Sequence, residues 1–215
     1  MLAQLEADDP SVARTDLMTN RPATHLVAAT AEHFDWAIQG TESAFSVDGL
    51  RLPPGGLDSP TVLAWVKRTS LAVVEATRQP AGWLIASGDE VVGLISFLGP
   101  PSAGAVEIGY GVAASRRDRG HATRAVALAV AHAAAQGLDV LAATSTENRP
   151  SEIVLERNGF QRCGERSDPS DGRLVLWRRG RGAFRRVRGV ERNAGEGTEK
   201  SSRRNAMERR AGGSA

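Results

Sequence analysis

A change of hydrophobic period inside one continuous stretch constrains this chain more than any other feature. Residues 105–136 read AVEIGYGVAASRRDRGHATRAVALAVAHAAAQ. Val106, Ile108, Tyr110 and Val112 alternate with Glu107, Gly109 and Gly111, the period of two expected of a strand. From Ala122 the period turns helical: Ala122, Val126, Ala129, Val130 and Ala133 share one face, and alanine is the best helix former. Gly137 stands where a left-handed C′ residue ends a helix, with Leu138 placed to pack on the last turn. Strand, charged turn and long helix in succession predict the first part of a right-handed strand–helix–strand crossover, and hence an α/β fold.

The turn itself is Arg117-Asp118-Arg119-Gly120-His121-Ala122. The first turn of a helix has backbone N–H groups without internal partners, at the positive end of the macrodipole. Gly120 lets a ligand come close to that backbone, and Arg117 and Arg119 add two permanent charges. These residues describe a site for a pyrophosphate or another polyanion.

The flanking segments complete a pattern. Residues 25–29 read as a first strand, and Thr30 can cap a helix through Glu32, His33, Phe34 and Trp36. Residues 41–57 are rich in Gly, Pro and Ser and read as a loop. Ser59 and Pro60 open a second helix as N-cap and N1, and its apolar residues Val62, Leu63, Val66, Leu71, Val73 and Val74 cover more than one face. Residues 83–86 and 91–95 flank Gly88-Asp89, which suits a type II′ hairpin. Residues 139–144 form another strand, and Asn148-Arg149-Pro150-Ser151 opens a short helix. Asn158-Gly159-Phe160 closes that helix in a Schellman arrangement, with Phe160 on Leu155. Residues 173–177 are the last strand, so one or two strands are expected after that helix.

The segment Arg117-x-x-Gly120-x-Ala122, after Glu107-Ile108-Gly109-Tyr110, resembles the acetyl-CoA pyrophosphate loop of the GNAT family of N-acetyltransferases. Asn148-x-x-Ser151 with Gly159-Phe160 resembles the corresponding segment of the branch containing the ribosomal-protein N-terminal acetyltransferases. The two motifs arrive in family order within residues 22–178. The resemblance implies a GNAT-type α/β fold: a central mixed, mostly antiparallel twisted sheet flanked by about four helices. Its fourth and fifth strands, here 106–112 and 139–144, would splay apart to admit the pantetheine arm. The resemblance implies acetyl-CoA as co-substrate and no metal. The cofactor would be held by Val112, Ala113, Arg117, Asp118, Arg119, Gly120, His121, Ala122 and Thr123, with Asn148 on the arm. Ser151 would lie near the sulfur, where it or a bound water serves the leaving thiolate. Many members place an acid tyrosine five residues before the Gly-Phe phenylalanine, a position that is Leu155 here.

Amine acetylation needs few groups: something to take the ammonium proton, a donor for the oxyanion and a route for the thiolate. Glu107 is the candidate base, against a bland reading as a surface or cross-strand residue. Tyr110, the chain's one tyrosine, reads as a core aromatic, and backbone N–H groups after it would polarise the carbonyl. The expected activity is an acetyl-CoA-dependent N-acetyltransferase acting by direct attack in a ternary complex. The acceptor is left open between a protein N-terminus and a small amine, and the oligomeric state between monomer and homodimer. Two alternatives remain: a catalytically silent acyl-CoA-binding module, and a nucleic-acid-binding protein acting through its tail.

The net charge of +2 conceals an asymmetry. Residues 178–215 carry twelve Lys/Arg against four Glu, a net of +8, which leaves −6 on the other 177 residues. The chain is therefore read as three parts: a disordered extension at 1–21, the GNAT-like domain at 22–178 and a basic disordered tail at 179–215. The tail could make weak charge contacts with ribosomes or RNA. Both Met1 and Met18 are open as the start.

Other signals point elsewhere only weakly. The first residues lack a cationic start and an apolar run, no 18-residue apolar stretch exists, and the lone Cys163 excludes an internal disulfide, so a cytoplasmic protein without membrane contact is expected. Cys163 is expected to be a small buried hydrophobe. Gly109-x-Gly111-x-x-Ala114 matches a dinucleotide fingerprint but lacks the following helix and acidic residue. His25, His33, His121 and His132 have no metal-ligand spacing.

Overall fold

The computed structural model describes residues 22–40, 46–169 and 172–180. The extension at 1–21 and the tail from residue 181 fall outside these, and with them the expectations made for both segments. The chain divides into one unit over Met1–Arg181 and a second over Gly182–Ala215, and everything below concerns the first.

The elements in order are β1 (Thr24–Ala28), α1 (Ala31–Gln39), α2 (Pro60–Thr77), β2 (Gly82–Ser87), β3 (Glu90–Phe97), β4 (Ala105–Val112), α3 (His121–Ala135), β5 (Asp139–Ser145), α4 (Arg149–Arg157), β6 (Gln161–Asp168) and β7 (Gly172–Arg179). The seven strands form one sheet in the order β1-β2-β3-β4-β5-β7-β6. Every pairing is antiparallel except β4 with β5, which are joined by the α3 crossover.

Local chemistry sets the ends. Thr30 caps α1 through its hydroxyl, and Ser59 caps α2 with Pro60 in its first turn. Gly88 takes φ 63° at the hairpin turn. Two Schellman caps form as the sequence expects: Leu138 N donates to Ala133 O at 3.0 Å after α3, and Phe160 N donates to Leu155 O at 3.1 Å after α4. Leu155 and Phe160 are both buried in the same cluster.

Each face of the sheet has its own core. Trp83, Phe97, Ile108 and Trp177 meet α3 and α4 on one face, while Phe34, Leu63, Leu84 and Leu94 meet α1 and α2 on the other. The alanines of α3 let that helix lie close to the sheet. Its buried line runs through Ala125, Val126, Ala129 and Ala133, so Ala125 takes the central place expected of Ala122, which is half-buried. On α2 only Leu63, Ser70 and Val73 are fully buried, and Val62 and Trp65 stay 43% and 44% exposed.

Two expectations change, and one left open is decided. Cys163 is exposed, because β6 is an edge strand bonded only to β7 and carries residues 161–167 in the open. The last strand runs past residue 178 to Arg179, which pairs with Val140 of β5. Of the one or two strands expected near the end, the fold has two, paired antiparallel.

Candidate active site

The parallel pairing of β4 with β5 covers only Ala105–Asp139, Val106–Val140 and Glu107–Leu141. β4 continues to Val112 and β5 to Ser145, so past Glu107 the strands part and leave a gap. On its other side β4 stays bonded to β3. Leu98 N donates to Glu107 O at 2.8 Å, and Ala113 N donates to Val92 O at 2.9 Å. In an antiparallel ladder this assigns Glu107, Gly109, Gly111 and Ala113 to β3. Tyr110 and Val112 therefore turn their backbone N–H and C=O groups into the gap.

A cavity of about 370 Å³ occupies this opening and brings together Glu107, Tyr110, Asn148, Ser151 and Arg166. The alternation that buries Ile108 on the α3 face turns Glu107 toward the α2 face, where its side chain is 30% exposed. Arg166 Nη2 of β6 lies 3.6 Å from Glu107 Oε1. Asn148 is the N-cap of α4, its Oδ1 accepting from Ser151 N at 3.2 Å. Tyr110 OH donates to Ser151 O at 3.1 Å, fastening that first turn to β4. Burial pushes the Tyr110 phenol up to about 12, the bond to Ser151 only partly opposing it, so it stays a proton donor at neutral pH. Tyr110 thus packs partly in the core and also lines the gap, a double role its spacing did not disclose.

The charged turn lies at the far end of β4. Gly120 is the N-cap of α3 with φ 81°, a left-handed conformation that glycine adopts readily, and no side chain caps this helix. Arg124 N is bonded to Gly120 O at 3.1 Å, which marks the first intrahelical bond. Arg117, Asp118, Arg119 and Gly120 are exposed, and Ala122 and Thr123 are half-buried in the first turn. Arg117 Nε donates to Val112 O at 3.3 Å, which holds the turn against the end of β4. His121 belongs to the helix start, its Nδ1 2.9 Å from Thr24 Oγ1 of β1. Asn158 Nδ2 donates to Thr123 O at 3.1 Å and so links α4 to the same turn.

Ala113 stands apart from the other expected cofactor contacts. It is buried, its N–H is held by β3, and its carbonyl accepts from Arg116 N at 2.8 Å. Arg116, which no motif singled out, braces the turn. It makes a two-pronged bond to Glu90, with Nε–Oε2 2.6 Å and Nη2–Oε1 2.8 Å, and Arg51 adds a third contact at 3.2 Å. The Arg116 guanidinium holds the Glu90 carboxyl below its usual range, against the opposing effect of burial. At the position where many GNAT members carry an acid tyrosine, Leu155 is fully buried and presents no polar atom to the gap.

A second cavity, about 200 Å³, lies between α2 and β4. Leu98, Gly109 and Tyr110 line both cavities, so the two adjoin along β4. Trp65 and Arg166 are the wall residues the sequence did not reveal. Both come from segments far from β4, and the surplus of apolar positions on α2 was the one available hint. Among the described residues no group of three or more His, Cys, Asp or Glu side chains is placed to hold a metal, and no helix is long and apolar enough to cross a membrane.

Comparison with known proteins agrees with this architecture. No curated protein matches the sequence. Among solved structures, RimJ of Mycobacterium smegmatis in complex with CoA-disulfide superposes with a TM-score of 0.53 at 22% identity, over 74% of this chain and 83% of that one. The Salmonella typhimurium acetyltransferase that modifies the N-terminal serine of the 50S ribosomal subunit protein L7/L12 gives 0.54 at 18% identity, over 73% and 94%. The Microcin C7 self-immunity acetyltransferase MccE in complex with acetyl-CoA and AMP gives 0.55 at 14% identity, over 75% and 93%. At these identities the likeness establishes the fold. The sequence profile of the acetyltransferase (GNAT) domain matches residues 28–161, from the end of β1 to the start of β6. Because that match spans more than half of its length, the chain belongs to the GNAT acetyltransferase family.

Proposed function

We propose that this protein transfers the acetyl group of acetyl-CoA to a primary amine by direct attack within a ternary complex. One observation carries the reading: a cavity in the gap between β4 and β5 brings the gap-facing backbone of Tyr110 together with Glu107 and Ser151, on the same strand whose far end leads into the arginine-flanked start of α3. The donor set fits the cofactor. A helix start without a side-chain cap, beside exposed arginines, suits a pyrophosphate. A gap edged by strand amides suits the amide-bearing pantetheine arm. The similarity to structures that hold CoA or acetyl-CoA supports the same choice.

The residues then divide the work. Arg117, Arg119 and the first-turn amides of α3 hold the phosphates, with Asp118, Gly120, His121, Ala122 and Thr123 shaping that turn. Val112 and Asn148 steer the arm, and Ala113 contributes by fixing the end of β4. Glu107 takes the proton from the incoming ammonium, directly or through water. The gap-facing N–H groups of β4 polarise the thioester carbonyl. Ser151 stands where a hydroxyl can donate to the departing thiolate. A protein N-terminus is one acceptor class, supported by similarity to the enzyme that modifies an N-terminal serine. A small amine is the other.

An acetyl-CoA consumption assay across amines and peptides tests the reading. Turnover is expected with at least one acceptor. Acetyl-CoA binding without turnover for any of them would favour the silent binding module, which Leu155 in place of a tyrosine acid keeps open. The charge asymmetry motivates a separate proposal, that residues 179–215 hold the protein near RNA. Retention on RNA should then fall steeply with salt and vanish in a chain ending at Gly180.

A further inference from the structure

The two large apolar side chains left exposed among the described residues, Val62 and Trp65, sit on the same helix and line the same cavity. A helix in a water-soluble fold ordinarily turns such residues inward or spends the position on a polar group. Here α2 turns them toward a hollow of about 200 Å³, completed by Leu57, Val66 and Leu98. An apolar cavity of about 150 Å³ is known to accept benzene, so this one has room for an aromatic or branched aliphatic group. Asp58 is the one charged residue at its lining, and that carboxylate already accepts a bond from Ser59 N at 2.7 Å.

The position of the hollow gives it a role. It shares Leu98, Gly109 and Tyr110 with the gap that holds Glu107, and it lies on the face of β4 toward which Glu107 points. A group bound there belongs to the molecule whose amine reaches Glu107. Gly111 keeps the wall open, since a Cβ built on it meets no atom within 4 Å. A polycationic acceptor would have to shed water from several ammonium groups against a wall offering a single carboxylate. An uncharged apolar group loses nothing on entering and gains burial.

Resting on the transferase reading above, we infer that the acceptor is an amine carrying a bulky apolar side chain on or next to the amine-bearing carbon, and that Trp65 and Val62 select it. Polyamines and aminoglycosides are excluded as good substrates by the same wall. A free arylalkylamine and a peptide beginning with an apolar residue present the same chemistry, and the assay distinguishes them.

The test uses the full chain and acetyl-CoA. Peptides differing only in a first residue of Phe, Leu, Ser, Asp or Lys are compared, together with phenethylamine and spermidine. Discrimination by an apolar pocket is typically about 10- to 200-fold per well-placed group, so kcat/KM for the Phe or Leu peptide, or for phenethylamine, should exceed that for Ser, Asp, Lys and spermidine by at least about ten-fold. Trp65→Ala should reduce the preference, and Gly111→Val should block bulky acceptors by filling the hollow. Both should bind acetyl-CoA as the parent does, a readout that also certifies folding. Equal or better turnover of the Ser or Lys peptide or of spermidine would overturn the inference and leave the transferase standing. No turnover of any acceptor would overturn the transferase reading, and this inference with it.

Discussion

Glu107 Oε1 and Arg166 Nη2 stand 3.6 Å apart, joining the fourth strand of the sheet to its edge strand beside the gap. The two side chains are 30% and 47% exposed, and exposed ion pairs contribute only about 0–1 kcal/mol. Such a pair is easily opened. Under the proposed base role, an incoming ammonium would replace the guanidinium at the carboxylate and bring its proton to Glu107.

Glu107→Gln keeps the size and hydrogen bonding of the side chain but removes its basicity. General base contributions are typically about 10²–10⁴-fold, so kcat should fall by that range at pH 7 with acetyl-CoA affinity nearly unchanged. The deficit should shrink as pH rises, because more of the amine arrives neutral. Steady-state rates from pH 6 to about 10 would check this. A variant with full kcat at pH 7 would mean that Glu107 is structural and that neutral amine is drawn from solution.

Gly120 begins α3 at φ 81° with open space at its Cβ position. Gly120→Asp introduces a negative charge beside the helix start, and Gly120→Asn introduces nearly the same shape without it. Both residues tolerate the left-handed region better than most. Acetyl-CoA should bind with Kd of about micromolar order in the parent, moderately weaker in the Asn variant and at least about ten-fold weaker again in the Asp variant. Calorimetry giving the Asp variant parental affinity would remove the phosphates from this turn.

Two glycines on neighbouring strands, Gly93 paired with Val112 and Gly111 paired with Leu94, should respond differently to alanine. A Cβ on Gly93 would lie 2.2 Å from the carbonyl oxygen of Gly111, a backbone atom that cannot swing aside. Gly93→Ala must push β3 from β4 and should lose at least about 2 kcal/mol of stability together with activity. Gly111→Ala meets nothing and should stay within about 1 kcal/mol of the parent. Urea unfolding of both variants decides the point.

The Glu90–Arg116 pair should give a pH-dependent share of stability. Its carboxyl is held below the ordinary value by the guanidinium, so the folded chain binds the proton less readily than the unfolded one. That stabilisation is present above the unfolded carboxylate range, about 4.3, and is lost as pH falls through the lowered folded value. Glu90→Gln should therefore be less stable than the parent at pH 7, and the two should converge in acid. Denaturant midpoints measured from pH 7 to about 3 would reveal the convergence.

The sequence alone determined what short-range chemistry governs. Thr30, Ser59 and Asn148 cap their helices because a side-chain oxygen needs only the next few residues to find its partner. The alternation of β4 and the alanine line of α3 followed from periodicity, and with them the crossover and the glycine-led turn that starts α3. The strand count near the end stayed open between one and two, because Gln161-Arg162-Cys163-Gly164 has no apolar alternation to betray an edge strand wet along its length. Tertiary structure decided the rest. Arg166 reaches Glu107 only because β7 inserts between β5 and β6, and Trp65 reaches the hollow beside Gly109 and Tyr110 only because α2 crosses the face toward which Glu107 points. Neither encounter leaves a periodic trace, since contacts between distant segments are set by how sheet faces and helices pack, and that packing is a property of the whole fold.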